Sequence, residues 1–270
     1  MAPEINIPPG AKCVVVTVDY RLAPEEKYPK AVEDAEEALF WIRNHGKQEL
    51  GVDLNKFAVG GSSRCVFRLL FCIDIAHDSV SGGNLAAIVS HKAALANPPI
   101  PLAFQLLVVP VVDNTATPEN SRHKSWQENA NTPSLSPAKM LWYRQNYTPN
   151  EADWTKWDNS PLFGPDEAFK RAPPTWICVA ELDILRDEGI AYAEKLQSFG
   201  VPTEVKIYKG APHPIMAMDG KCIDVLPRCV LSPIIQNCRC PRDWQAACIR
   251  RGRGVGQSIR YRVGPVEAPP

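Results

Sequence analysis

Three residues of this 270-residue chain sit where a sheet protein does chemistry. Ser62 follows the strand-like run Lys56-Phe-Ala-Val-Gly60, Asp183 follows Thr175–Ala180, and His213 follows Thr203–Tyr208. In open α/β sheets, sites form outside the carboxyl ends of the strands, so these three side chains are expected to converge. A serine hydroxyl is a weak nucleophile until a base takes its proton. A histidine can take that proton and return it to a leaving alcohol, while a carboxylate holds the imidazole in the required tautomer. Each residue also has a plainer reading. Ser62 in a glycine-rich turn can cap a helix. Asp183 can cap the helix that begins near Leu185, leaving Asp187 as the alternative acid, and His213 can be a loop histidine satisfied by backbone. His45 and His91 fall on helical stretches, His123 lies in a long irregular region, and His77 lies in an interruption described below, so they fit the base role less well.

The elements that must position these residues alternate between strand and helix. Lys12-Cys-Val-Val-Val-Thr-Val-Asp19 is a continuous β-branched run, as in a strand buried on both faces. From Pro29 to about Leu50, Val32, Ala35, Leu39 and Ile42 recur at helical spacing, with Glu33, Glu36 and Glu37 outward. Gly82 to Ala96 predicts an Ala/Leu-rich helix, Ala103–Val112 a buried strand, and Leu185–Phe199 a helix closed by Gly200. Thr203-Glu-Val-Lys-Ile-Tyr208 alternates polar and apolar residues, as expected of a strand near a sheet edge. This alternation predicts parallel βα units in one doubly wound sheet flanked by helices. Residues 114–172, with Trp126, Trp142, Trp154 and Trp157, break it and read as a cap or a set of long loops. Tryptophans in such a region are more often packing than recognition.

Composition is that of an ordinary globular domain, with 45% hydrophobic and 22% charged residues and a formal net charge of zero. Neither nucleic acid nor an anionic membrane is indicated as a partner. No apolar run reaches the roughly 18 residues of a membrane-spanning helix, and the first residues lack the pattern of a secretory signal, so a cytoplasmic setting is expected. The charge is unevenly placed. Residues 221–270 carry nine basic and three acidic side chains, and five of the nine cysteines. That stretch shows no helical or strand periodicity and is expected to be a disordered extension of a 1–220 domain. It contains no histidine and no C-x-x-C pair, so no zinc site is expected. Cys13 and Cys178 lie inside apolar strand-like runs, as buried small hydrophobes do.

Several motifs resemble those of one family. Val18-Asp-Tyr-Arg-Leu-Ala-Pro-Glu25, Glu181-Leu-Asp-Ile-Leu-Arg-Asp-Glu-Gly189 and Gly210-Ala-Pro-His-Pro214 are similar to segments of the hormone-sensitive-lipase-like esterases of the α/β-hydrolase fold. The chain order Ser, Asp, His is the order those hydrolases use. The resemblance runs from about residue 11 to 220 and implies an α/β-hydrolase sheet and a serine carboxylesterase. It further implies Ser62 as nucleophile, His213 as base, Asp183 as acid, the backbone N–H of Ser63 as an oxyanion donor, and neither cofactor nor metal. The substrate would be a small-molecule ester of short to medium acyl length. Acyl length, oligomeric state and pathway are not written in the sequence.

The chain departs from that pattern in three places. The nucleophile elbow should read G-x-S-x-G and pass straight into a helix. Here Gly60-Gly61-Ser62-Ser63 is followed by 18 extra residues before Gly82-Gly83-Asn84, and removing 63–80 or 64–81 restores Gly-Gly-Ser-Ser-Gly-Gly-Asn-Leu-Ala-Ala. The fold is expected to be incomplete at its start, with no His-Gly-Gly-Gly-type loop to supply further oxyanion donors; each lost donor costs about 10²–10³ in rate. The strand before that loop would lie between 12–19 and 56–60, so its loss is expected to leave an internal gap with unpaired ladder groups. Beyond Met218-Asp219-Gly220 the final covering helix gives way to the Arg/Cys-rich stretch. Such abrupt boundaries are what a retained intron or a misjoined gene structure leaves, and the chain as it stands is expected to hydrolyse esters poorly or not at all. Two other readings stand beside an esterase. One is a non-catalytic binding protein on the same scaffold, as plant gibberellin receptors are, although such a protein needs no full triad. The other is a remnant without a selected role.

Overall fold

A computed structural model describes residues 14–62, 68–69, 82–119, 122–215, 246–251 and 261–262. Its centre is a mostly parallel sheet of eight strands: β1 (Val15–Asp19), β2 (Ala58–Ser62), β3 (Arg68–Leu69), β4 (Phe104–Val108), β5 (Thr175–Leu182), β6 (Thr203–Pro212), β7 (Ala246–Arg251) and β8 (Tyr261–Arg262). Their order across the sheet is β6-β5-β4-β2-β3-β1-β7-β8. β2, β4, β5 and β6 run parallel, with Ser62 opposite Val108 and Val108 opposite Cys178. The alternating strand at 203–208 lies at the sheet edge, as its pattern predicts.

Helices α1 (Lys30–Leu50), α2 (Gly82–Leu95) and α6 (Arg186–Ser198) flank the sheet. α1 buries Val32, Ala35, Leu39 and Ile42, and ends where Gly51 turns left-handed at φ 66°. α2 is buried along nearly its whole length, only Lys92 and Leu95 falling outside its buried set. It packs on β2 and β4 and against α1. Successive side chains of a strand point to opposite faces. Leu107, Ile177 and Val179 accordingly join the core with α2, whereas Leu106, Val108, Trp176 and Cys178 form a second cluster with Ala211 and Ile215.

Three expectations require correction. The strand predicted over 103–112 stops at Val108, because Val109 adopts φ 40° and Pro110 has no N–H to continue a ladder. The gap expected between β1 and β2 is bridged by β3, which comes from the inserted segment itself. β3 runs antiparallel to both neighbours, with Leu69 opposite Val16, and Arg68 opposite both Thr17 and Gly60. Finally, the stretch without strand periodicity supplies β7, which pairs in parallel along the whole of β1, and β8. Backbone pairing with β1 and between the two segments places them in the sheet.

Residues 114–172 contain α3 (Ser125–Glu128), α4 (Pro137–Tyr147) and α5 (Asp166–Lys170), joined by turns. Ser136 caps α4 by accepting from the Lys139 N–H, and Pro137 occupies the first turn where its missing N–H costs nothing. Trp126 is fully buried, whereas Trp142 on α4 is 62% exposed.

Candidate active site

Ser62, Asp183 and His213 all lie at the carboxyl end of the sheet, as the last residue of β2 and the residues immediately after β5 and β6. All three are buried, at 8%, 1% and 7% exposure. The helix-cap reading of Ser62 does not hold, because Ser62 is a strand residue and α2 begins twenty residues later. Even so, α2 starts beside the serine. A Cβ on Gly61 would collide with the backbone carbonyl of Gly82, and one on Gly83 would stand 3.0 Å from the Pro110 Cα. Gly61 and Gly82, which flank the inserted segment, are thus packed against each other. Ser63, the expected oxyanion donor, lies outside the described residues.

Asp183 and His213 are brought together by strand pairing. Leu182 lies opposite Pro212, so the next residue of each strand emerges at the same level. This match requires a register shift: two residues of β5, from Ala180 to Leu182, span four of β6, from Tyr208 to Pro212. The extra β6 backbone is taken up at Gly210, whose φ of 66° suits a residue without a side chain. Glu181 holds it there, accepting from the Gly210 N–H at 2.7 Å and from Lys209 Nζ at 3.0 Å. These bonds hold the Glu181 carboxyl below its ordinary range, the Gly210 N–H contributing most.

Asp183 Oδ2 lies 2.7 Å from His213 Nδ1. Its other oxygen accepts from the Leu185 N–H at 3.1 Å, so the carboxylate also closes the local turn. An ionised carboxylate at Nδ1 favours the tautomer with the proton there. Asp187, the alternative acid, accepts from the Ser125 N–H at 2.8 Å and from Arg186 Nε at 2.8 Å.

Sequence reasoning missed the groups that hold the loop carrying Asp183. Asn129 Nδ2 donates to the carbonyls of Glu181 (3.0 Å) and Asp183 (2.9 Å). Ser125 Oγ donates to the Ile184 carbonyl at 2.6 Å, and Trp126 Nε1 lies 3.3 Å from Glu188 Oε2. Glu188 is fully buried; burial pushes its carboxyl up to about 8, against the N–H donors of Val112, Trp126 and Asp113 that favour the charged form. The only available signal was a cluster of hydrogen-bonding types, Ser125-Trp-Gln-Glu-Asn129, in a region without periodicity.

A second carboxylate–histidine pair, Asp113 Oδ2 and His123 Nε2 at 3.0 Å, lies in the loop after β4. A cavity of about 260 Å³ is lined by Tyr20, Leu22, Asn84, Met140, Tyr143 and Tyr147 among others, and none of Ser62, Asp183 and His213 lines it. One wall is thus the first turn of α2 and another is α4. Among the described residues no group of His, Cys, Asp and Glu could hold a metal ion, and no helix is long and apolar enough to cross a membrane. Cys178 is a buried thiol pushed up to about 12 by burial. His77 and the other cysteines, Cys248 in β7 apart, lie outside the described residues.

Comparison with known proteins gives a consistent picture. A family model described as alpha/beta hydrolase fold matches residues 6–64 and 75–217, omitting the middle of the inserted segment. An AB hydrolase superfamily protein of Schizosaccharomyces pombe is 51% identical over 211 residues, 77% of this chain and 56% of that protein. An esterase of Mycobacterium tuberculosis is 37% identical over 196 residues, 73% of this chain and 53% of that protein. Among solved structures, carboxyl esterase 2 of the mycorrhizal fungus Tuber melanosporum superposes with a TM-score of 0.63 at 27% identity, covering 74% of this chain and 59% of that one. A thermostable esterase from Pseudomonas putida gives a TM-score of 0.60 at 37% identity, covering 73% and 54%. The chain spans about half the length of the curated relatives it matches.

Proposed function

The chain belongs to the α/β-hydrolase fold family, in its esterase branch, and from that premise we propose that it carries a serine carboxylesterase site built on Ser62, His213 and Asp183. The observation that carries the proposal is the 2.7 Å contact between His213 Nδ1 and Asp183 Oδ2 at the same end of the sheet as Ser62. His213 takes the Ser62 proton as the hydroxyl attacks the ester carbonyl. The tetrahedral adduct collapses, the imidazolium returns the proton to the leaving alcohol, and an acyl-Ser62 ester remains. Water then attacks that ester by the same route, releasing the acid and restoring the serine. Asp183 keeps the imidazole in register and offsets its transient charge. No metal or cofactor enters this scheme.

The substrate assigned is a small-molecule ester. Turnover by the chain as it stands is slow or nil, because the residue after Ser62 leads into the inserted segment rather than into a helix. A non-catalytic ligand-binding role on this scaffold is disfavoured by the retained acid–base pair, which binding alone does not need.

The test compares p-nitrophenyl butyrate hydrolysis by the full chain and by a chain lacking 63–80. Hydrolysis is expected from the shortened chain, faster than from the full chain and abolished by Ser62→Ala. If the shortened chain shows no hydrolysis that depends on Ser62, the esterase assignment fails.

A further inference from the structure

We propose that Asn129 is a positioning residue for the acid of this site, and that the short helix α3 acts through it as a clasp on the loop 181–188. The proposal rests on the assignment of Asp183 and His213 above. Every polar residue of the segment 125–129 except Gln127 grips that loop. Asn129 Nδ2 reaches the carbonyls on both sides of Leu182, those of Glu181 and Asp183. Ser125 bonds the Ile184 carbonyl through Oγ and the Asp187 carboxylate through its N–H, and its Oγ in turn accepts from the Asp187 N–H at 3.2 Å. Glu128 pairs with Arg186 Nη2 at 2.6 Å. Beneath these contacts Trp126 shares an apolar cluster with Ile184 and Leu185.

Asn129 has the strongest consequence of these. It is 5% exposed, and its two acceptors flank the residue whose pairing with Pro212 sets His213 beside Asp183. A primary amide has two N–H donors on one nitrogen, so a single side chain fixes both peptide planes. Replacement by alanine leaves the Glu181 and Asp183 carbonyls without that donor; replacement by aspartate sets a carboxylate against them. Either frees the loop to drift, and a misplacement of about 1 Å can cost 10²-fold in rate.

The experiment is proton NMR of the full chain, following the low-field Nδ1–H resonance of His213, which is assigned by its loss in His213→Gln. In Asn129→Ala and Asn129→Asp the resonance is expected to move upfield or broaden beyond detection, with near-ultraviolet circular dichroism unchanged. Modification of Ser62 by a fluorophosphonate in the chain lacking 63–80 is expected to slow about 10- to 100-fold in the same variants. Should the alanine variant fail to fold, Asn129→Asp, which keeps the side-chain shape, carries the test alone. A resonance unchanged in either folded variant overturns the proposal. A resonance that responds to Asn129 while no form of the chain hydrolyses esters would sustain the clasp and sink the esterase assignment.

Discussion

Gly61 and Gly82 are neighbours in space across the whole inserted segment, packed so closely that a side chain on the first would strike the carbonyl of the second. The residues on either side of the insertion are therefore already in contact. Gly61→Ala forces backbone to move in a packed interior. It is expected to cost at least about 1–3 kcal/mol, the usual range for overpacking, read as a lower urea midpoint. A variant of ordinary stability would show that the close approach is wrong.

Removing residues 63–80 should have two opposed effects. Ser62 gains a direct passage into α2, so its modification by a fluorophosphonate accelerates. The sheet loses β3, and with it the backbone pairing of Val16, Thr17 and Gly60, at about 1 kcal/mol per hydrogen bond. Thermal unfolding should shift down by several degrees while reactivity rises; a rise in both would mean that β3 contributes nothing to the sheet.

The two aspartates of the acid loop should separate cleanly. Asp183→Asn, measured as ester hydrolysis in the chain lacking 63–80, is expected to lower turnover by about 10⁴, because an amide at His213 Nδ1 favours the wrong tautomer. Asp187→Asn keeps an oxygen to accept from the Ser125 N–H and is expected to lower turnover by less than about tenfold. The reverse ranking would transfer the acid role to Asp187.

Stability should depend on pH through two buried groups of opposite sense. Glu188 rises from 4.5 to about 8, so between those values the folded chain holds a proton that the unfolded chain has lost, and stability falls as pH rises. His91 drops from 6.5 to about 4, so between those values the unfolded chain holds the extra proton, and stability rises with pH. The two oppose each other from 4.5 to 6.5, and from 6.5 to 8 the Glu188 effect acts without that opposition. A decline over that upper window, of at most about 1.4 kcal/mol per pH unit, is expected in urea titrations and should flatten in Glu188→Gln. An unchanged slope in that variant would exclude Glu188 as its source.

Gly210→Ala tests the register shift that aligns His213 with Asp183. Nothing stands within 4 Å of the added methyl, so the cost is that of the left-handed backbone alone, about 1–2 kcal/mol. If the shift relaxes instead, the low-field His213 resonance should be lost together with stability; loss of stability with the resonance intact would mean that the bulge does not set the pair.

The sequence was legible where local pattern and position carry the meaning. Ser62, Asp183 and His213 could be placed because each follows a run whose β-branched or alternating residues announce a strand, and strand ends define where a site forms. α1 was equally open, since its Val32, Ala35, Leu39 and Ile42 stripe faces the core. Asn129 was hidden, because its partners are backbone carbonyls that 52 and 54 residues of separation place beside it, and any sequence supplies carbonyls. β3 and β7 were hidden for a related reason: a neighbouring strand with open ladder positions recruits backbone, and backbone has no sequence signature. Val109 shows the converse, a β-branched residue that reads as strand yet stands at φ 40°, next to a proline and buried to 2% exposure.

The bridging strand β3 has only two residues, and everything proposed to act on the ester lies to one side of it. Among the described residues, backbone pairing joins the two sides of the sheet only through Arg68 and Leu69. Side-chain packing carries the rest, because Val16, Val18 and Tyr20 share one buried cluster with α1, α2 and Leu107, Ile177 and Val179. The β1 side is therefore expected to part from its neighbours only when that shared core opens, so the core and not the seam sets how far it can move.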